Sequence, residues 1–304
     1  MDKRLVMVMG KGGTGKTTIA AALGLAAARA GKRTVVVEVA EQQRLAAMFG
    51  VRPTDRHDEV ELAPGLFGLS IAPSRAMEEW LRHQLKSGTL AGLLGGSRIF
   101  QLLTAAAPGV SELVTMGKIW DLAQLQRRTG GSVFDLAIVD APATGHGLAL
   151  LNAPGTFARI AHTGPIARQA RQIEEFTRNR AATAILAAAL PEEMPVAETI
   201  DLEGRLADQS LALDAIVVNA LYPERFDSDE SARLAALDGR GSDAARAAVV
   251  AALSEHRRAA GQRSQVARLG EESRAPLVTL PHLFAPELGR DELETLSELL
   301  EESL

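Results

Sequence analysis

Between an apolar run at residues 5–9 and an alanine-rich stretch at 16–30 stands Gly10-Lys11-Gly12-Gly13-Thr14-Gly15-Lys16-Thr17. The apolar run is too short for a helix and reads as a buried strand. The alanine-rich stretch reads as a helix, stopped by Gly31 at the position glycine favours just past a helix end. A strand that turns through glycines straight into a helix leaves the first helical N–H groups, and the positive end of the helix dipole, facing the loop. Such a loop is a seat for an anion. It also commits the chain to a sheet with parallel neighbours, because the helix carries the chain back to begin the next strand on the same side.

The run matches G-x-x-x-x-G-K-[ST] in the strand-before, helix-after context that the pattern requires. Glycines let backbone N–H groups converge on phosphate, so Gly10, Gly12, Gly13, Thr14, Gly15, Lys16, Thr17 and Thr18 are the expected nucleotide-binding residues, with ATP as the nucleotide. Lys16 is expected to reach the β- and γ-phosphates, the Thr17 hydroxyl to ligate Mg2+, and Thr18 to contact the α-phosphate. A second element, Phe134-Asp135-Leu136-Ala137-Ile138-Val139-Asp140, is an apolar strand that delivers a carboxylate at its C-terminal end, where open α/β sheets place their ligands. Asp140 is the expected second holder of Mg2+, through water. Asp135 opens the same strand at the opposite end, which suits a turn or a cap.

Strand-like runs recur at 4–9, 33–39, 66–72, 134–139, 213–219 and 275–280, most of them continuously apolar as buried parallel strands are. Helical patterns lie between them, so the expected class is α/β: a doubly wound, mostly parallel sheet in a single domain over 1–304. Stretches 74–128 and 156–199 hold helical periodicity for longer than one crossover needs, and neither displays a clear strand. They are expected to form a helical subdomain inserted in two pieces. Residues 223–274, charged and alanine-rich with Gly239-Arg240-Gly241 inside, read as two solvated helices joined by a turn.

A hydrophobic fraction of 46% and a charged fraction of 23% are those of a folded globular chain rather than a disordered one. Its apolar windows fall short of the roughly 18 residues that span a bilayer. The apolar run after Asp2-Lys3-Arg4 ends too soon for a signal-peptide core, so the expected location is the cytoplasm, with no integral membrane span and peripheral contact left open. A net charge of −5 supplies no overall basic field, and nucleic acid is not an expected partner. The chain has no cysteine, which excludes disulfides, thiolate-held zinc, iron–sulfur clusters and thiol-based metalloid sites.

A lysine directly after the first glycine, Lys11, resembles the deviant form of the phosphate-loop signature. That form marks the division ATPases MinD and ParA, the nitrogenase iron protein, and the arsenite-pump and tail-anchored-protein-targeting ATPases. The string Asp140-Ala141-Pro142-Ala143-Thr144-Gly145-His146-Gly147-Leu148-Ala149-Leu150-Leu151 resembles D-T-A-P-T-G-H-x-L-R-L-L, the switch II of the arsenite-pump and targeting ATPases, which division ATPases lack. Pro108-Gly109-Val110-Ser111-Glu112 and Val217-Val218-Asn219 resemble two further segments of the same family. The resemblance implies a dimeric ATPase switch, as a homodimer or with a sister ATPase, in which Lys11 reaches the partner's nucleotide and a helical subdomain serves a protein or hydrophobic client. It also implies Asn219 as an adenine contact; Pro281, by its place in the loop expected after the last strand, is a second candidate. Where the family reads D-P-A after its second strand, with the aspartate orienting the attacking water, this chain reads Glu38-Val39-Ala40. Glu38 either takes that role with a longer arm or is a strand-end acid with Glu41 as the reactive neighbour. Trivalent arsenic is bound by thiolates in the arsenite pump, so arsenite transport as such is disfavoured here.

Other readings stay open on the residues. A MinD- or ParA-type ATPase acting at a membrane or DNA surface is the alternative, although the acidic end from Arg290 to Glu302 would be repelled by anionic lipid and its leucines suit core packing better. An apolar stretch with Leu93, Leu94, Ile99, Phe100, Leu102, Leu103, Leu113, Met116 and Trp120 fits a client groove or ordinary interior packing at helical spacing. His146 is either a switch contact or a loop residue. Arg168, Arg171, Arg178 and Arg180 read as a solvated helix face or a site for an acidic partner.

Overall fold

A computed structural model describes residues 3–39, 44–52, 58–85, 109–128, 131–161, 163–237, 239 and 241–303. Its strands are β1 (Leu5–Met9), β2 (Thr34–Glu38), β3 (Val60–Ala63), β4 (Leu66–Ser70), β5 (Leu136–Asp140), β6 (Thr183–Ala189), β7 (Ala215–Leu221) and β8 (Leu277–Pro281). They form one sheet in the order β3-β4-β2-β5-β1-β6-β7-β8. Every pairing is parallel except β3 with β4. The chain is thus α/β with a doubly wound, mostly parallel sheet, as the alternation of apolar runs and helical patterns predicts.

β1 sits at the centre, and its alternating side chains feed two cores. Leu5, Met7 and Met9 face a core shared with α4 (Val110–Leu122), α5 (Thr144–Ile160), α6 (Gly164–Arg178) and α7 (Glu193–Ala207). Val6 and Val8 face α1 (Lys16–Arg29) and α10 (Arg290–Ser303), with Ile19, Leu25, Leu293, Leu296 and Leu300 in that second core. The acidic C-terminal helix therefore spends its leucines on α1. Its acids meet Arg29, which lies 3.6 Å from Glu298 and 3.5 Å from Glu301.

Two strands depart from the sequence reading. The stretch 156–199 contains β6, so the expectation that it lacks a strand is overturned. Thr183-Ala184-Ile185-Leu186-Ala187-Ala188-Ala189 is alanine-rich, and alanine is the best helix former. All seven residues are buried between β1 and β7, and that environment overrides propensity. The helical layer in this stretch accordingly stops with α6, while α7, which begins at Glu193, is the ordinary crossover from β6 to β7. β3 precedes β4 through the turn Pro64-Gly65, with Gly65 at φ 78°, a turn signal that the sequence carried.

α3 (Pro73–Leu85) packs on α4, and α4 on α5 and α6, so these four helices make a layer over β5, β1 and β6. Ion pairs brace it: Lys118 donates to Glu79 at 2.6 Å, and Arg127 lies 2.5 Å from Glu59 and 3.4 Å from Asp121. Residues 86–108, which hold Leu93, Leu94, Ile99, Phe100, Leu102 and Leu103, lie outside the described residues. Between β7 and β8 run α8 (Ser228–Ala236), with no buried residue and a capping box between Asp227 and Glu230, and α9 (Asp243–Glu272), capped by Ser242. Among the described residues no helix is long and apolar enough to cross a membrane.

Candidate active site

The carboxyl ends of β1, β2 and β5 meet at one sheet edge. β5 pairs with β1 and β2, setting Asp140 opposite Val8 on one side and Glu38 on the other. From the end of β1 the loop turns beneath this edge with Gly10 at φ 139°, Gly13 at 88° and Gly15 at 87°. Two of these positions have no room for a side chain. A Cβ on Gly10 would lie 2.3 Å from the Ala188 carbonyl oxygen of β6, and one on Gly15 would lie 2.1 Å from Asn219 Nδ2.

The loop is closed by its own polar groups. The Lys11 carbonyl accepts from Thr14 Oγ1 at 2.9 Å and from Lys16 Nζ at 2.8 Å. Asn219 Nδ2, from β7, donates to the Thr14 carbonyl at 3.1 Å. Thr14 and Thr18 are buried, whereas a Cβ on Gly12 would have nothing within 4 Å. Burial pulls the Lys16 ammonium below its ordinary range against the opposing charge of Asp140, and Arg44 pulls it further down. A half-buried cation folded onto a glycine loop at a helix N-terminus is an anion seat whose ligand brings the missing negative charge.

Thr17, in the first turn of α1, donates its hydroxyl to Asp140 Oδ2 at 2.5 Å. Burial raises the Asp140 carboxyl above its usual range, while the Thr17 hydrogen bond, Lys16 and Arg44 pull it down. The two oxygens predicted to share Mg2+ are thus neighbours, although 123 residues separate them in sequence.

Glu38 ends β2 beside Asp140, but its carboxylate is engaged elsewhere. Oε1 accepts from the backbone N–H of Arg44 at 2.7 Å and of Leu45 at 3.3 Å, so Glu38 caps α2 (Arg44–Met48). It is 5% exposed. Burial pushes its carboxyl up, the two N–H bonds pull it down, and the charge of Asp140 raises it again. Ala40 and Glu41 lie outside the described residues.

Lys11 behaves unlike Lys16. Its ammonium leaves the loop and donates to Glu198 Oε1 on α7 at 2.6 Å. Pro281, expected in the loop after the last strand, is instead the last residue of β8, in register with Leu221 of β7 and exposed, because the strand runs one residue past the apolar run. Just beyond it Tyr222, His282 and Phe284 stack with centroids 4.5 to 5.5 Å apart. His146 is exposed in the first turn of α5, where the Thr144 hydroxyl is buried without a hydrogen-bond partner. Asp135 Oδ2 accepts from the Arg33 N–H at 2.8 Å, at the far end of the sheet from the loop. Of the arginines on α6, Arg168, Arg171 and Arg178 are exposed, and Arg178 pairs with Glu174 at 3.2 Å. Arg180, also exposed, follows the helix.

Two residues near the loop carried no signal in the sequence. Arg44, one of three charges acting on Asp140 and Glu38, follows a stretch without a motif. Glu198 was hidden because β6 reads as helix, which obscures that α7 starts at the loop's edge of the sheet.

The helical layer carries a partly open pocket of about 190 Å³ lined by Met77, Trp80, Leu113, Trp120, Phe157 and Ile173 among others. Of the apolar residues considered for a client groove, Leu113 and Trp120 line this pocket and Met116 is fully buried.

The family model described as anion-transporting ATPase matches residues 3–163, which contain the loop, Glu38 and Asp140. The chain is 31% identical over 237 residues to ATPase BagA of Mycobacterium tuberculosis, covering 76% of this chain and 69% of the relative. It is 24% identical over 264 residues to ATPase GET3 of Kluyveromyces lactis (76% and 75%) and 26% identical over 270 residues to ATPase GET3B of Arabidopsis thaliana (73% and 65%). A glycine loop closed around Lys16, a hydroxyl–carboxylate pair at the end of the neighbouring strand, and a family match across both place this chain in the anion-transporting ATPase family, as an enzyme that hydrolyses ATP.

Proposed function

We propose that this ATPase is a cytoplasmic, dimeric switch in which hydrolysis of ATP between two subunits moves the helical layer and so serves a partner or a hydrophobic client. The observation that carries the reading is the opposite behaviour of two lysines in one loop. Lys16 folds back onto the Lys11 carbonyl, while Lys11 projects away from its own phosphate seat to Glu198. A cation that leaves its own seat for a solvent-exposed ion pair can exchange that partner for another, and a charge of that kind supplied in trans is worth on the order of 10³ to 10⁵ in rate where it meets the transferring phosphoryl group.

Within one subunit the residues divide the work. Backbone N–H groups of the loop and Lys16 bind and orient the phosphates, while Asn219, which also holds the Thr14 carbonyl, and Pro281 at the end of β8 would contact the adenine. Thr17 and Asp140 are the residues that would hold Mg2+. Their two oxygens, with no cluster of three or more His, Asp or Glu ligands among the described residues, suit a cation that keeps several waters and phosphate oxygens in its shell. When bound, Mg2+ neutralises charge developing on the phosphates. Glu38, opposite Asp140 on the neighbouring strand, would orient the attacking water once its carboxylate is released from the α2 N–H groups.

The route outward is short. Asp140 ends β5, α5 begins four residues later at Thr144, and α5 packs on α4 and α6. A change at the γ-phosphate is passed to the layer that carries the apolar pocket, which is the natural place for a partner or client to be felt.

Sedimentation velocity of wild type and Lys11→Ala with Mg2+ and either ATP or ADP plus a γ-phosphate mimic, with phosphate release from the ATP samples, tests the reading. Wild type is expected to dimerise and turn over, and the variant to keep nucleotide but lose turnover. A wild type that hydrolyses ATP as a monomer, with Lys11→Ala equally active, would sink it.

A further inference from the structure

The Lys11–Glu198 contact joins two rigid pieces of the molecule. Lys11 is held by the loop after β1, whose carbonyl at Lys11 accepts from both Thr14 and Lys16. Glu198 sits on α7, which leaves β6, the strand beside β1. α7 is pinned to the sheet by Val196 and Leu202, both fully buried. The pair therefore does not form because two floppy side chains happen to meet. It forms because the fold brings a cation and an anion together at the sheet edge, at 2.6 Å.

Its exposure decides what it can do. Lys11 and Glu198 keep 36% and 37% of their side chains in water. A pair that open to solvent stabilises weakly, by at most about fivefold in an equilibrium constant, and either partner is rehydrated cheaply when the other leaves. Such a contact is too weak to hold the fold together and well suited to being exchanged.

We propose that Glu198 is a positioning residue that holds Lys11 on its own subunit until ATP-driven closure exchanges the carboxylate for the phosphates of the partner. The inference rests on the reading of Lys11 as a lysine that acts in trans. Each subunit of a symmetric dimer must give up one such pair, so the restraint counts twice in the association equilibrium, and fivefold per subunit becomes about 25-fold in the dimer Kd. Glu198 in this role sets how readily the dimer closes and leaves the chemical step, once the dimer has formed, to the loop, Thr17 and Asp140.

The test compares wild type, Glu198→Gln, Glu198→Asp, Lys11→Ala and the Lys11→Ala/Glu198→Gln double variant. Dimer Kd is measured by sedimentation velocity across protein concentration with ADP, Mg2+ and a γ-phosphate mimic, and turnover at saturating ATP from phosphate release. Glu198→Gln is expected to tighten the dimer by about 5- to 25-fold and to leave kcat of the formed dimer within about twofold. Glu198→Asp, which keeps the charge, stays near wild type. In the Lys11→Ala background Glu198→Gln changes nothing, and the difference between wild type and Glu198→Gln shrinks as salt is raised. Glu198→Gln with a dimer Kd equal to or weaker than wild type overturns the proposal. If that happens while wild type dimerises and Lys11→Ala is inactive, only the restraint is lost and the trans lysine stands. If wild type never dimerises and Lys11→Ala hydrolyses normally, both fall together.

Discussion

Glu38 and Asp140 stand directly opposite each other at the carboxyl ends of β2 and β5, two acids on neighbouring strands at the edge where the glycine loop lies. Burial raises both carboxyls, and for Glu38 the charge of Asp140 adds to it. In the native state each therefore holds its proton to higher pH than in the unfolded chain, so the folded protein binds more protons across that window. Stability contributed by these groups falls as pH rises from the ordinary carboxylate range through the raised values, and the cost is fully present above them.

Glu38→Gln is accordingly expected to melt at a higher temperature than wild type at pH 7.5 without nucleotide, with the gap closing as pH is lowered toward about 4, the ordinary carboxylate value. Glutamine retains an oxygen that can accept from Arg44 and Leu45, so the cap of α2 survives. Thermal melts at several pH values check this. A variant less stable than wild type at pH 7.5 would show that the charge of Glu38, rather than its oxygen, holds α2. In the same variant turnover should fall by at least about 10²-fold if Glu38 orients water, since small misplacements at a reacting centre cost that much.

Thr17→Ala removes one oxygen of the pair that meets at 2.5 Å, and Asp140→Asn removes the negative charge of the other. Both are expected to lower Mg2+-dependent phosphate release by about 10²-fold or more, on the scale of a lost electrostatic contact to a transition state. Nucleotide binding in the presence of a chelator should change by only a few-fold, because the loop N–H groups and Lys16 remain. Equilibrium binding of a fluorescent ATP analogue with and without Mg2+ separates the two effects, and equal losses in both conditions would contradict the assignment.

Gly15 and Asn219 offer a coupled pair. Gly15→Ala places a Cβ 2.1 Å from Asn219 Nδ2 and forces an L-residue to φ 87°. The backbone part alone costs about 1 to 2 kcal/mol. Asn219→Ala removes the obstructing amide as well as its bond to the Thr14 carbonyl. The double variant is expected to be more stable than the sum of the single changes by about 1 kcal/mol, as contacting sites couple. Denaturant midpoints of the four proteins test it, and strict additivity would mean that the loop shifts away from Asn219.

Both tryptophans of the chain, Trp80 and Trp120, lie in the helical layer and line its pocket. Trp80 Nε1 donates to Gln169 at 2.7 Å, and the Arg128 guanidinium lies 4.7 Å from the Trp120 ring. Intrinsic fluorescence should therefore change when wild type binds ATP and Mg2+, and Lys16→Ala should abolish the change at nucleotide concentrations that saturate wild type. A silent spectrum at full nucleotide occupancy would argue that the helical layer does not follow the phosphate site.

What was legible in the sequence, and what was not, divides along the range of the interactions. The chain by itself determined the glycine loop, the strand before it, the helix after it and a second apolar strand ending in Asp140. Each of these is written in consecutive residues: turn chemistry, strand length and a helix start. From them came the α/β class and the residues that converge, Lys16, Thr17 and Asp140. The tertiary structure decided the rest. β6 is a strand because its alanines are buried between β1 and β7, an environment that consecutive residues do not state. Glu38 became a cap for α2 because the chain after β2 folds back over it, and Lys11 met Glu198 because β6 lies beside β1. Those choices depend on burial and on charges brought together from distant parts of the chain, and only the packed fold supplies them.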